Sequence, residues 1–323
     1  MFGSDPTAAM TPPAAFASRL CAPEGPVAGP DGWILNVCSF TRDEAWPTRG
    51  GDICATHVGT PGSTARLLNT SGGGVDGIPA ALAFGPDGAL YVTDEGHRAI
   101  LRVGPDGRRS RWVHSFEGEP LNGPNDLCFD ADGGCFFTDP WGSSLENPIG
   151  GVYGYDPVTD ELHRIDTGMA FPNGIALRGG RLYVAETLRS CVWVYDVVGT
   201  GAAVDRRLFC RQPPVPETPV SGPDGMAFDS EGNLLVTHFG SGHVYVYDAG
   251  GAEVDRIPCG GTSPTNVCFG GADHDMLFIT VDDTGEMLAV DWGVRGQVLH
   301  FCPTAVSGTH PFAAMMTVTE PLG

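Results

Sequence analysis

Short apolar runs separated by glycine-containing turns recur along the chain in one arrangement. Each copy has a short apolar run, a turn and a second run rich in Val, Phe, Tyr and Leu. Two alternating strands joined by an Asp-Gly type turn predict a β-hairpin. The first residues of the six copies are Glu24, Ala80, Asn125, Asn173, Asp224 and Asn266.

The spacing of the copies indicates how many strands each unit contains. The first residues lie 56, 45, 48, 51 and 42 positions apart, and several copies continue into a third run, as at residues 151–156, 191–196 and 243–248. Helical periodicity of useful length is absent, and four-stranded units repeated radially are typical of a β-propeller. We therefore predict one all-β domain over residues 21–323. It is a six-bladed propeller with four antiparallel strands per blade around a central channel, preceded by a mobile arm or strap over residues 1–20.

This architecture predicts two rings of residues on one face, because a hairpin begins and ends on the same side. If the first strand of each blade is innermost, the six first residues form an inner ring around the channel. The ends of the second strands form an outer ring around it. Its members are Cys38, Asp94, Asp139, Glu186, His238 and, approximately, Asp282.

The inner ring offers two carboxylates and three amides but no His or Cys. An all-oxygen set of this kind suits a hard divalent cation, Ca²⁺ ahead of Mg²⁺ or Mn²⁺, and it argues against a Zn²⁺ site built on His or thiolate. Asn and Asp are also ordinary turn residues. The constant register of the polar residue within the repeat favours the metal site.

Composition removes several function classes. The formal charge is −21, which disfavours nucleic acid and anionic membranes as partners. All 18 basic residues are Arg, which excludes Schiff-base lysines and the phosphate-loop lysine. No apolar run is long enough for a membrane helix, the opening residues lack an export signal, and none of the ten Cys forms a Cys-x-x-Cys pair. We expect a cytoplasmic protein with free thiols; the oligomeric state stays open.

Short motifs around the inner ring carry a family resemblance. They are Pro23-Glu24-Gly25-Pro26, Gly77-Ile78-Pro79-Ala80, Pro124-Asn125-Asp126, Phe171-Pro172-Asn173-Gly174, Pro223-Asp224-Gly225-Met226 and the stretch 136–153. Over about residues 21–300 the chain resembles the senescence marker protein, gluconolactonase and luciferin-regenerating enzyme family of six-bladed propellers. Diisopropyl fluorophosphatase is a relative that shares the run at residues 171–176.

The resemblance implies a metal-dependent hydrolase and a set of ligands. Carried over residue by residue, the family's divalent metal ligands fall on Glu24, Asn125, Asn173 and Asp224, with no role for Asn266. Asp224 would also be the catalytic carboxylate that takes a proton from water or attacks the substrate. Many sugar lactonases of the family have Arg two residues before the ligand at Asn125. Here that residue is Gly123, which argues against an aldonolactone substrate.

Five further residues are expected to form the substrate site. Asp126 is expected to orient Asn125, Trp141 and Phe239 to form an apolar wall, and His238 to be a hydrogen-bonding wall residue or a proton shuttle. Asp139 either contacts substrate or ends a strand in a Thr-Asp turn. The function predicted is hydrolysis of a lactone, a small-molecule substrate. A phosphotriester hydrolase using the same site and a non-enzymatic propeller that binds a small molecule remain alternatives.

Overall fold

The computed structural model describes residues 12–216, 218, 220–301 and 311–317, and almost all regular structure in them is β-strand. Six antiparallel four-stranded sheets form the blades, which confirms the predicted six-bladed propeller. Three short 3₁₀ turns complete the regular structure of the described part, at Pro30–Gly32, Thr187–Arg189 and Met315–Thr317.

The strands follow the hairpin pattern of the sequence. The chain begins with β1 (Ala14–Ser18). Blade one contains β2 (Pro23–Ala28), β3 (Trp33–Cys38), β4 (Asp52–His57) and β5 (Thr64–Asn69). Blade two contains β6 (Pro79–Phe84), β7 (Leu90–Asp94), β8 (Ala99–Val103) and β9 (Arg109–Val113), followed by a small hairpin of β10 (Ser115–Phe116) and β11 (Glu119–Pro120). Blade three contains β12 (Leu127–Phe129), β13 (Cys135–Asp139), β14 (Gly150–Asp156) and β15 (Glu161–Met169).

The second half of the chain repeats the same arrangement. Blade four contains β16 (Pro172–Arg178), β17 (Arg181–Glu186), β18 (Cys191–Gly199) and β19 (Ala202–Arg211). Blade five contains β20 (Gly222–Phe228), β21 (Leu234–Phe239), β22 (His243–Tyr247) and β23 (Glu253–Pro258). Blade six contains β24 (Pro264–Gly270), β25 (Met276–Val281) and β26 (Glu286–Asp291).

The fourth strand of blade six comes from the other end of the chain. β1 pairs antiparallel with β26, and the strand order of this blade is β1-β26-β25-β24. β1 lies within the segment 1–20 that the sequence separated from the propeller as an arm or strap, so residues 14–18 are an integral strand of the last blade. Residues 1–11 lie outside the described part. The ring of blades is therefore closed by strand pairing as well as by packing.

Burial falls from the channel towards the outside of each blade. The second strand β7 is buried along its whole length, whereas the outermost strands β15 and β19 are mostly exposed. Clusters of buried apolar side chains lie between neighbouring blades, for example that of Tyr183, Val194, Met226 and Tyr245 between blades four and five. Packing between sheets therefore supplies the core and keeps the first strands around a common axis.

A second set of contacts joins the blades around the channel, and we call it the hydroxyl ring. In each blade one hydroxyl group donates to a backbone carbonyl at the beginning of the first strand of the next blade. The pairs are Ser39 to Pro79 (2.7 Å), Thr93 to Asn125 (2.5 Å), Thr138 to Asn173 (2.7 Å), Thr187 to Pro223 (2.8 Å), Thr237 to Thr265 (2.8 Å) and Thr265 to Pro23 (2.8 Å). These contacts fix the backbone at, or one residue before, each member of the inner ring.

The nine cysteines in the described part of the chain are all free thiols, as predicted, and eight of them are buried. The tenth, Cys302, lies outside the described residues. No helix among the described residues is long and apolar enough to span a membrane.

Candidate metal centre and catalytic site

The predicted inner ring gathers at one end of the channel. Glu24, Asn173, Asp224 and Asn266 lie near the beginnings of β2, β16, β20 and β24, and Asn125 lies two residues before β12. Asn173 and Asp224 are buried, whereas Glu24 and Asn125 are partly buried. The Asn266 Nδ2 group donates to Glu24 Oε2 over 3.1 Å, which joins blade six to blade one.

Glycine next to the ring residues lets neighbouring first strands approach closely. A Cβ at Gly174 would lie 2.2 Å from the carbonyl oxygen of Asp224, and one at Gly225 would lie 1.9 Å from Cγ of Asn266. Any larger residue at these positions would push the adjacent ring member away. The Asn-Gly and Asp-Gly pairs that resemble turn signals are therefore required by packing at the channel.

The ring carboxyls of Glu24 and Asp224 lie close enough to each other or to Asp126 for their charges to interact. Burial and the negative charges of Asp224 and Asp126 raise the pKa of Glu24 well above its usual range. Burial, Asp126 and Asp282 do the same to the pKa of Asp224, and burial raises that of Asp126 to about 7. In the described part of the chain, no arginine is among the main influences on these three pKa values. A bound cation would supply the missing positive charge.

The amides are oriented so that their oxygens stay available. Asn125 Nδ2 donates to Glu95 Oε1 over 3.1 Å, and Asn173 Nδ2 donates to Thr187 Oγ1 over 3.2 Å. In Asn266, by contrast, Oδ1 accepts from the Val267 amide at 2.8 Å and Nδ2 is bound to Glu24, so its side chain is occupied by the protein. These contacts are consistent with a ligand set that includes Asn125 and Asn173 and leaves out Asn266.

The donor set fits a hard divalent cation. Among the described residues, no three His, Cys, Asp or Glu side chains are grouped as a metal site of those residue types. The four candidate donors are two carboxylates and two amides, which suits Ca²⁺ better than Zn²⁺. Glu24, Asn125, Asn173 and Asp224 are thus the residues that would hold the ion.

Asp126 has a different set of contacts from the one expected. Its carboxylate accepts hydrogen bonds from the backbone amides of Leu127 (2.8 Å) and Ile175 (3.1 Å), which ties blade three to blade four. The group that holds the Asn125 amide is Glu95, a buried residue that sequence reasoning missed. Its signal is weak, a second carboxylate directly after the outer-ring residue Asp94.

The outer-ring carboxylates hold the segments that lead into the first strands. Asp139 accepts from the amides of Asn122 (2.8 Å) and Gly123 (2.6 Å), just before Asn125. Asp94 accepts from Ile78, Glu186 from Ala170, and Asp283 from Thr262 and Ser263. Both oxygens of Asp139 are engaged in this way, so its contacts favour a positioning role over direct substrate contact.

The predicted wall residues lie near the mouth. Trp141, 41% exposed, is next to Gly123, and Phe239 is partly buried at the end of β21. Trp141 lines a pocket beside the ring together with Ile78, Glu95 and Ile149. Asp282, the blade-six position, forms an ion pair with Arg42 at 2.6 Å.

His238 departs from the outer-ring pattern in blade five. It is fully buried, pairs in register with Pro223, and its ring packs edge-on against Tyr245 at 5.3 Å between centroids. Neither ring nitrogen has a hydrogen-bond partner among the described residues. Burial, with smaller effects of His243 and Arg256, lowers the pKa of His238 to about 4. The imidazole is therefore neutral at pH 7.

This burial predicts a specific loss of stability in acid. Because the folded pKa is below the unfolded value of about 6.5, the unfolded chain binds the proton first, and stability falls as pH decreases from about 6.5 to about 4. His238 alone should lower the free energy of unfolding by about 3 kcal/mol by pH 4. Chemical denaturation of wild type and His238→Phe in chelator should diverge over this interval, with wild type losing more. Parallel pH profiles would contradict the assignment.

Comparison with known proteins agrees with the motifs and the fold. Residues 58–283 match the model of the SMP-30/Gluconolactonase/LRE-like region. Diisopropyl-fluorophosphatase of Loligo vulgaris is 30% identical over 303 residues, covering 88% of this chain and 93% of the relative. Gluconolactonase of Zymomonas mobilis is 31% identical over 245 residues, 68% of each chain.

A solved gluconolactonase structure from Xanthomonas campestris has 26% identity and a TM-score of 0.69, and the match covers 86% of this chain and 88% of that one. The resemblance expected from the inner-ring motifs is thereby confirmed, and the chain belongs to the SMP-30/gluconolactonase/LRE-like family.

Proposed function

We propose that the chain is a metal-dependent hydrolase that opens lactones. The observation that carries the proposal is the convergence of Glu24, Asp126 and Asp224 at the mouth, where burial and the neighbouring negative charges raise the pKa values of Glu24 and Asp224. Together with Asn125 and Asn173, whose amide nitrogens donate to Glu95 and Thr187, this arrangement supports a Ca²⁺ site made by Glu24, Asn125, Asn173 and Asp224. Mg²⁺, Mn²⁺ and Zn²⁺ are the alternatives to test.

In the proposed reaction, the cation and the side chains of the protein have different roles. A divalent cation in this ring would polarise the substrate carbonyl and make water more acidic. Asp224 accepts the proton of the attacking water, while Glu24 is the second, fixed anion of the ring. Glu95, Asp139 and the hydroxyl ring hold Asn125 and Asn173 in place, so the ring does not have to reorganise during the reaction.

A phosphotriester hydrolase is the second candidate, and the similarity to diisopropyl-fluorophosphatase over 88% of this chain favours it. Both reactions need a polarising ion and a carboxylate, so the ring does not distinguish them. In either case the partner is a small molecule, and the charge of −21 disfavours nucleic acid. The buried free thiols support a reducing compartment such as the cytoplasm.

Metal analysis and one substrate panel test the proposal. Purified protein is assayed with a pH indicator against lactones, a phosphotriester and a phosphofluoridate, each with chelator and after Ca²⁺ is restored. We expect lactone hydrolysis that chelator abolishes and Ca²⁺ recovers. Turnover of the phosphorus esters alone would favour the second candidate. A metal-loaded protein that hydrolyses nothing would support a binding propeller.

A further inference from the structure

Five large apolar side chains are exposed at the channel mouth on the side of blades one to three, besides Val220 before blade five. They lie in segments of blades one to three that follow a second strand or precede a first strand, so they share the face of the inner ring. We call them the apolar rim, and its members are Phe40 (42% exposed), Val75 (38%), Trp141 (41%), Leu145 (54%) and Ile149 (42%). Three of them belong to the single loop between β13 and β14. An exposed apolar cluster next to a chemically active site commonly marks a ligand surface.

The rim continues into a pocket beside the ring. Ile78, Trp141 and Ile149 form its apolar wall, and Glu95 lies at its inner side. Glu95 bonds directly to Asn125, so a molecule in this pocket is adjacent to the candidate metal ligands. The pocket therefore belongs to the same site and extends it towards blades two and three.

Several polar atoms of the pocket have partners in the protein. Asn122 Nδ2 donates to the carbonyl oxygens of Ile149 (3.3 Å) and Asp139 (3.5 Å), and Arg98 Nε donates to that of Leu121 (2.6 Å). Oε1 of Glu95 accepts from Asn125. Hydroxyl groups of a ligand that lay against Ile78, Trp141 and Ile149 would lose their hydrogen bonds with water without gaining new ones there, which is unfavourable.

The close packing at Gly123 also disfavours a polar side chain in this part of the pocket. A Cβ built there would lie 2.7 Å from Cβ of Trp141 and 3.3 Å from Cα of Glu95. No side chain fits at this position while Trp141 keeps its place. Trp141 thus leaves no space for a side chain at residue 123, and its own aromatic surface lines the pocket beside that position.

We infer that the substrate is a lactone with an apolar substituent, such as an alkyl chain, rather than a polyhydroxylated sugar lactone. The substituent lies in the pocket against Trp141 and Ile149, and the ester group lies at the inner ring. This inference rests on the proposed hydrolase function. It adds that the pocket between blades two and three determines substrate choice.

A series of lactones that share the same ring and carry alkyl side chains of increasing length tests this inference. Initial rates with excess Ca²⁺ are compared for γ-lactones bearing hydrogen, methyl, propyl, butyl and hexyl groups, and for glucono-1,5-lactone. Burial of each methylene favours binding by about fourfold, so kcat/KM should rise by that factor per methylene until the pocket is filled. Glucono-1,5-lactone should react more slowly than the longer alkyl lactones.

Substitutions in the pocket test whether its residues cause the preference for long alkyl lactones. Trp141→Ala and Ile149→Ala should lower kcat/KM for the hexyl lactone at least tenfold, mainly through KM, and should lower kcat/KM for the unsubstituted lactone by a smaller factor. Trp141→Phe should restore most of the preference. Val158→Ala is the matched control, because Val158 is 84% exposed in the turn between β14 and β15 and lies away from the mouth. It should behave as wild type.

The outcomes separate this inference from the function on which it rests. If no lactone of any kind is hydrolysed, the proposed function fails. If lactones are hydrolysed but the rate is independent of chain length, or glucono-1,5-lactone is preferred, the function stands and the inference is wrong. Self-association that Trp141→Ala abolishes, with a flat alkyl series, would assign the rim to a second copy of the chain and also overturn it.

Discussion

Replacing Asp224 by asparagine is expected to lower kcat by about 10²–10⁴-fold while the protein still binds its metal ion. The amide keeps an oxygen that can contact the ion, but it can neither accept a proton nor attack a carbonyl. Because Asp224 is buried among other carboxyls, losing its charge should not destabilise the metal-free fold. Steady-state kinetics, metal titration and thermal unfolding in chelator together check the three statements.

Two further variants test whether Asp224, rather than a residue of the outer ring, is the catalytic base. His238→Ala should reduce kcat less than Asp224→Asn, because the imidazole is buried beside Tyr245 and neither of its nitrogens has a partner among the described residues. Asp139→Asn should act through the 122–125 segment that it holds, and so change metal affinity along with rate. If Asp224→Asn is nearly as active as wild type while His238→Ala or Asp139→Asn is inactive, the catalytic base lies in the outer ring.

Adding one methyl group at Gly174 is expected to reduce kcat/KM by about 10²-fold, since displacement of a catalytic group by about 1 Å has effects of this size. In Gly174→Ala the new Cβ would lie 2.2 Å from the carbonyl oxygen of Asp224 and 2.8 Å from Cα of Gly225. Both are backbone atoms, so β16 and β20 must move apart. Stability should also fall, by about 1–3 kcal/mol, as for other overpacked sites.

Gly199→Ala is the matched control for this prediction. Gly199 ends β18, and a Cβ added there would meet no described atom within 4 Å, so its substitution should change neither activity nor unfolding. Metal affinity should fall in Gly174→Ala and stay constant in Gly199→Ala. A Gly174→Ala protein that is destabilised but fully active would show that the β16–β20 approach does not set the position of Asp224.

The blades could be predicted from the sequence because each inner hairpin has a clear local pattern. Runs such as Leu90–Asp94 and Cys135–Asp139 are apolar, follow glycine turns and keep their register, so strand, turn and ring position were all readable. β1 was not recognised as a strand of a blade, because Ala14–Ser18 has little β-forming character and its partner, β26, is far away in the chain.

Positions in the ring could be predicted where they follow from the repeat. Glu24, Asn173 and Asp224 stand at the beginnings of first strands, as the motifs indicate, and their role as metal ligands stays a prediction. Glu95 acts through the orientation of another residue's amide, and the engagement of Asp139 depends on the path of the segment before Asn125. Such contacts are set by loop geometry between distant positions, which periodicity does not contain.

The hydroxyl ring limits how far the first strands can move, and it would therefore influence the size of ion that fits the proposed metal site. A hydroxyl group of each blade donates to the beginning of the first strand of the next blade. The hydrogen bond from blade six to Pro23 of blade one closes the ring. A ligand residue that moved inward to reach a smaller cation would therefore pull on its neighbours, so contraction has to be shared by all six blades. If the proposed metal site is correct, its preference for one ionic radius would depend on the stiffness of the hydroxyl ring as well as on the four donor atoms.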